Sequence, residues 1–165
     1  MLFRSEMAAE YIVSKLGEGT PVAELEGIPG ASATRERGQG FHNIADNKLK
    51  VLAKQSADFD RSKGLTVSEN ILQANPDVKA IFAQNDEMAL GAVSAAKAAN
   101  KQIFIIGFDG TDDGIKAVND GSMAATIAQQ PDKMGEIGVE TALKLAKGEN
   151  VDKNIAVDLK LVEKK

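Results

Sequence analysis

The chain of 165 residues has no cysteine and one histidine, His42. The first absence excludes disulfides, thiol nucleophiles and cysteine-bound metal, without fixing a compartment. The second excludes a histidine-rich zinc site, and any Ser-His-Asp triad would have to use His42. His42 lies among Asn43, Asp46 and Asn47, which reads as a solvated polar helix end. No apolar run is long enough to span a bilayer as a helix. Basic residues are not in excess, with 20 Lys and Arg against 24 Asp and Glu and a net charge of -4. That balance argues against a nucleic-acid surface. Neither a P-loop ending in Lys-Ser/Thr nor a Gly-x-Gly-x-x-Gly turn occurs, so no nucleotide cradle is expected. What remains is ordinary globular material: hydrophobic residues make up 43% and charged residues 27%, enough for a core in one domain.

The chain is organised around Ile81-Phe82-Ala83-Gln84-Asn85-Asp86-Glu87-Met88-Ala89-Leu90-Gly91. Val78 to Ala83 is a short apolar run, Asn85 and Asp86 are good helix N-caps, and Met88, Ala89, Ala92, Val93 and Ala96 then recur at helical spacing. Polar side chains therefore sit where a strand ends and a helix begins, the edge at which open α/β sheets bind ligands. Asn85 is equally able to serve only as a cap.

The same alternation fills the rest of the chain. Helices are expected over Glu6 to Leu16, about Ala33 to Ala45, Ser62 to Ala74, Asp86 to near Asn100, Ile115 to Val118 and Asp132 to Lys147. Strands are expected over Pro21 to Leu25, Leu49 to Ala53, Val78 to Ala83, Ile103 to Phe108 and Met123 to Ala128, with one or two extended pieces in Ile155 to Val162. Gly17, Asn75-Pro76-Asp77, Asn119-Asp120-Gly121 and Gly148 punctuate these elements. The pattern predicts an α/β doubly wound layout with a mainly parallel sheet and helices on both faces.

Several local features bear on chemistry. Ser32 or Thr34 can cap the helix after the loop Gly27-Ile28-Pro29-Gly30, and such a loop before a helix can hold an anion, a weak signal here. Arg35 and Arg37 stand in the first turns of that helix, against its dipole, which reads either as function or as solvated charge. Asp58 and Asp60 flank Phe59 but lack the other ligands of a calcium loop. Asp109-Gly110-Thr111-Asp112-Asp113-Gly114 is acidic, yet carboxylates are favourable at a helix start in any case. Just past successive strand ends stand Arg37, Phe59, Asn85, Asp109 and Gln129. Together they offer a planar cation, a carboxylate, two amides and an aromatic ring, a set suited to a neutral polyol. Sugar hydroxyls both donate and accept, and an aromatic ring covers an apolar sugar face. No metal cage is formed and no cofactor is expected.

Asp58-Phe59-Asp60-Arg61, the run from Phe82 to Gly91, and Gly107-Phe108-Asp109-Gly110-Thr111 closely resemble the ribose-binding proteins. So do Ala33-Thr34-Arg35-Glu36-Arg37-Gly38, Ala125-Thr126-Ile127-Ala128-Gln129 and Val157-Asp158-Leu159-Lys160-Leu161-Val162. The resemblance runs from about Met7 to the C-terminus. It implies a solute receptor of a bacterial ABC importer, periplasmic or lipid-anchored on the cell exterior. In that family two α/β lobes with a fold shared by lactose-repressor-type regulators close over a pyranose. It further implies that Arg37 and Asp109 bond sugar hydroxyls, that Asn85 and Gln129 add bonds, and that Phe59 closes against the ring. D-ribose is the favoured sugar. A membrane permease is the implied partner, with a chemotaxis transducer as a second and nucleic acid as none.

By the same resemblance, residues 6–129 form the C-terminal sugar-binding lobe. Residues 130–158 belong to an N-terminal lobe whose main part is absent, and 159–165 return as a strand and tail. Met1-Leu2-Phe3-Arg4-Ser5 carries one positive charge and no apolar core, so it does not read as a signal peptide. It reads as foreign to the domain, the start of a chain truncated inside a longer gene. The alternative function is the sugar-effector domain of a lactose-repressor-type transcription regulator. An enzyme is disfavoured, because Asp109 as a general base would have no partner acid, nucleophile or cofactor loop.

Overall fold

The computed structural model describes residues 5–164, so the expectation for the N-terminal residues lies, except for Ser5, outside the described residues. The elements alternate as α1 (Glu6–Leu16), β1 (Pro21–Glu26), α2 (Ser32–Lys48), β2 (Lys50–Ser56), α3 (Arg61–Ala74), β3 (Ala80–Ala83), α4 (Asp86–Ala98), β4 (Phe104–Asp109), α5 (Asp112–Asp120), β5 (Ala125–Ala128), α6 (Pro131–Ala146) and β6 (Lys160–Glu163). The six-stranded sheet has the order β2-β1-β3-β4-β5-β6. β1 to β5 are parallel and β6 returns antiparallel to β5. The doubly wound α/β expectation holds.

Because side chains alternate along a strand, each central strand feeds two cores. On one face Val22, Phe82, Ile106 and Ile127 pack under α1 and α2, with the rings of Phe41 and Phe82 stacked 4.7 Å apart. On the other Leu25, Ile81, Ala83 and Ile105 pack under α3, α4 and α5. Both faces being covered explains why Ala80–Ala83 is buried throughout. Glycines let α3 and α4 cross closely: a Cβ on Gly91 would stand 2.3 Å from the carbonyl oxygen of Arg61, and one on Gly64 would stand 2.8 Å from the Met88 backbone. This crossing carries the loop before α3 against the N-terminus of α4.

One local expectation is corrected. Neither Ser32 nor Thr34 caps α2; Ala31 takes that position without a side-chain bond, and Thr34 Oγ1 donates instead to the Ile28 carbonyl at 2.8 Å. The tail holds one strand, β6, within the one or two extended pieces expected there. Past β5, α6 begins at Pro131 and buries none of its residues. The helix stands clear of the body and leaves Met134, Val139, Leu143 and Leu145 exposed. No helix among the described residues is long and apolar enough to cross a membrane.

Candidate functional site

All of the predicted site residues lie at the carboxyl edge of the sheet. Phe59, Asn85 and Gln129 follow β2, β3 and β5, Asp109 ends β4, and Arg37 projects from the second turn of α2 after β1. Asp109 is the hub. Its Oδ1 accepts from Arg37 Nη2 at 2.9 Å and from Gln129 Nε2 at 2.6 Å. The pair is only partly shielded, with 15% of the Arg37 side chain and 28% of that of Asp109 exposed. Asp109 has φ 115°, a left-handed backbone that Asp tolerates better than most residues, and Gly110 follows at φ 71°. Local strain of this kind persists only where the surroundings hold it.

Arg37 is held from several sides. Nη1 donates to the backbone carbonyl of Gln84, and the guanidinium lies 4.0 Å from the ring centre of Phe108 and 5.8 Å from that of Phe59. A fixed guanidinium loses little entropy on binding and keeps its fork aimed. The charge against the α2 dipole is thus neither free nor solvated. Its carboxylate and aromatic neighbours offset the unfavourable end of the helix.

Asn85 does cap α4, its Oδ1 accepting from Met88 N at 2.9 Å. It also does more: Nδ2 donates to the Phe59 carbonyl at 3.2 Å, tying the loop after β2 to the loop after β3. Phe59, with φ 59°, rests against the core under α3 and α4 and leans toward Gly27. The structure therefore brings all the predicted residues into one connected edge.

The sequence reading missed the residues beneath. Asp86 is fully buried, and its carboxylate accepts from Thr126 Oγ1 at 2.6 Å, Thr111 N at 2.7 Å and Thr111 Oγ1 at 3.0 Å. Burial pushes its pKa up, opposed by the bonds from Thr126 and Thr111. Gly107 and Gly114 make room, since a Cβ at either would stand 2.2 or 2.3 Å from an Asp86 oxygen. Asp86 thereby anchors the loop after Asp109. A signal existed: a carboxylate beside a cap, facing glycines in the following strand and helix.

His42 is corrected from a solvated residue to a paired one. Its Nε2 meets Glu24 Oε2 at 2.8 Å and its Nδ1 meets Asp46 Oδ1 at 2.6 Å. Glu24 is fully buried and its other oxygen accepts from Gln84 Nε2 at 2.8 Å. The bond to Glu24 is the main reason that the His42 pKa rises to about 9. The glycine-bearing loop is likewise used internally, Gly27 N donating to Gln84 Oε1 at 3.0 Å and Ala31 N to the Ile28 carbonyl. Among the described residues no group of three His, Cys, Asp or Glu is placed to hold a metal ion.

Residues 5–150 match the family model for the periplasmic binding protein domain. The chain is 58% identical over 160 residues to the ribose import binding protein RbsB of Bacillus subtilis (strain 168), covering 97% of this chain and 52% of that protein. It is 60% identical over 161 residues to RbsB of Escherichia coli (strain K12), covering 96% and 54%. Among solved structures it superposes with a TM-score of 0.91 and 36% identity on an ABC transporter periplasmic solute binding protein from Actinobacillus succinogenes 130z with bound D-allose, covering 98% of this chain and 58% of that one. The chain spans about half the length of the curated relatives it matches. It belongs to the periplasmic binding protein domain family.

Proposed function

We propose that this chain forms one wall of a sugar-binding cleft in the solute receptor of an ABC importer, with D-ribose as the sugar. The observation that carries this is the Arg37–Asp109–Gln129 triad at the sheet's carboxyl edge. Both protein donors converge on Oδ1, and among the described residues Oδ2 carries no hydrogen bond. A sugar hydroxyl can donate to that oxygen while accepting from the Arg37 or Gln129 side. Asn85 supplies a further donor and Phe59 an apolar face for the C–H side of the ring. The relatives named as ribose import binding proteins support the choice of sugar.

On this reading residues 6–129 are the sugar-binding lobe. Residues 130–158 belong to a facing lobe, which the exposure of α6 supports, and 159–165 return to the first lobe. The receptor works outside the cytoplasmic membrane, hands its sugar to a membrane permease and is read by a chemotaxis transducer. It catalyses nothing; Asp109 accepts hydrogen bonds rather than moving protons. One wall leaves half of the sugar in water, so this chain alone binds D-ribose no tighter than about 1 mM, roughly 4 kcal/mol. Titration of the isotope-labelled chain with D-ribose, followed by NMR, tests this. Saturable shifts centred on Asp109, Gln129 and the Arg37 side chain are expected. Shifts elsewhere, or none, overturn the reading.

A further inference from the structure

We infer that Gly27 is a positioning residue that sets where the Phe59 ring stands, and so which sugars the cleft admits; this rests on the sugar-cleft reading above. A Cβ built on Gly27 would lie 1.9 Å from Phe59 Cζ, 2.2 Å from Cε1 and 2.4 Å from Cε2. The far edge of the ring occupies the space that any other residue's side chain would need. Gly27 is not among the residues of positive φ, so its backbone suits alanine and only the space demands glycine.

Neither partner can retreat by moving its backbone. The Gly27 amide donates to Gln84 Oε1 at 3.0 Å, and its carbonyl accepts from Ser56 Oγ at 2.8 Å. Phe59 is tied through its carbonyl to Asn85. Non-bonded carbons rest about 3.5 to 4.0 Å apart, so a methyl group at position 27 must displace the ring tip by roughly 1.5 to 2 Å. The ring already packs against the core on its α3 side. It yields toward the cleft, where the Arg37 guanidinium lies 5.8 Å from its centre. The displaced ring takes its volume from the ligand. D-ribopyranose and D-allopyranose share their ring hydroxyls and differ by one hydroxymethyl group, so the larger sugar loses more.

NMR titration of the full chain with D-ribose and with D-allose tests this in four forms: unsubstituted, Gly27→Ala, Phe59→Ala, and both together. A strong NOE between the Gly27 Hα and Phe59 ring protons is expected in the unsubstituted chain. Gly27→Ala should weaken D-ribose binding about tenfold, the scale of one misplaced methylene, and D-allose binding further. In the Phe59→Ala background it should change neither affinity. Should Gly27→Ala not fold, its refolding on adding Phe59→Leu supports the inference, and failure to refold overturns it. Weakening by Phe59→Ala with no effect of Gly27→Ala overturns the inference and leaves the sugar reading standing. So does an equal loss from Gly27→Ala in both backgrounds. Absence of saturable shifts in the unsubstituted chain overturns the sugar reading and this inference together.

Discussion

The imidazole Nε2 of His42 lies 2.8 Å from Oε2 of Glu24, a carboxylate with no exposure to solvent. The pair fastens the middle of α2 to β1. Gln84 joins it to the site, since its side chain bonds Glu24 and its carbonyl receives Arg37.

The first prediction is a loss of stability at alkaline pH. The His42 pKa stands at about 9, above its ordinary 6.5, with Glu24 and Asp46 facing the ring. A pKa raised on folding stabilises fully below the unfolded value and is lost as pH rises through the folded one. Melting temperature should therefore fall between about pH 6.5 and 9. His42→Ala should flatten that fall and cost about 3 kcal/mol at neutral pH, because it leaves Glu24 buried with Gln84 alone. Calorimetric melts of both forms across this range check it; an unchanged slope in His42→Ala counts against the pair.

This pair also marks the limit of what the sequence discloses. Strands and helices were legible because short apolar runs are punctuated by Gly17, Asn75-Pro76-Asp77 and Gly121. Arg37, Phe59, Asn85, Asp109 and Gln129 were legible because strand ends of a parallel sheet share one edge. The supports beneath them were not. His42 and Glu24 are 18 residues apart, and Asp86 and Thr126 are 40 apart, on elements whose pairing only the folded sheet fixes. Glu24 in Val22-Ala23-Glu24-Leu25 was the overlooked sign, a carboxylate inside a strand covered on both faces. On α6 the apolar residues take two sides, Val139 and Leu143 lying about half a turn round from Met134.

Asp86 supplies the second prediction. It gathers three donors from Thr111 and Thr126 and holds the backbone just after Asp109. Asp86→Ala leaves these groups without an acceptor, at a cost of about 2 to 4 kcal/mol. The Thr111 amide should then exchange with solvent much faster than in the unsubstituted chain, while amides of β1 lose only the global share. Hydrogen exchange read residue by residue checks this, and an unchanged Thr111 rate refutes the anchoring role.

The third prediction concerns the Arg37–Asp109 pair. Asparagine, like aspartate, tolerates φ 115° at position 109, so Asp109→Asn removes the charge without straining the loop as alanine would. Asp109→Asn or Arg37→Ala should each remove about 1.5 to 3 kcal/mol of the roughly 4 kcal/mol of D-ribose binding, the usual contribution of a hydrogen bond to a charged group. Loss on that scale takes a millimolar complex out of reach. NMR titration that returns the original affinity for both variants would remove the pair from the site.

The last prediction concerns α6. Val139 is 64% exposed, Leu145 58%, Leu143 56% and Met134 44%, so the helix carries apolar side chains on opposite sides and packs neither. Full burial would stabilise each by roughly 1.5 to 3 kcal/mol, only part of which is realised here. A helix of 16 residues without packing is marginal in water. Limited proteolysis with mass spectrometry should therefore place the first cuts beyond Gln130, ahead of any in the sheet. Leu143→Gln should leave the unfolding free energy within about 0.5 kcal/mol of the original, as for a surface change, whereas Ile127→Ala in the sheet should cost about 2 to 5 kcal/mol. If copies pair through α6, light scattering shows a dimer, the cuts slow with concentration, and Leu143→Gln abolishes both effects. A protease-resistant monomer that Leu143→Gln destabilises strongly would refute the prediction, because α6 would then be packed on its own body.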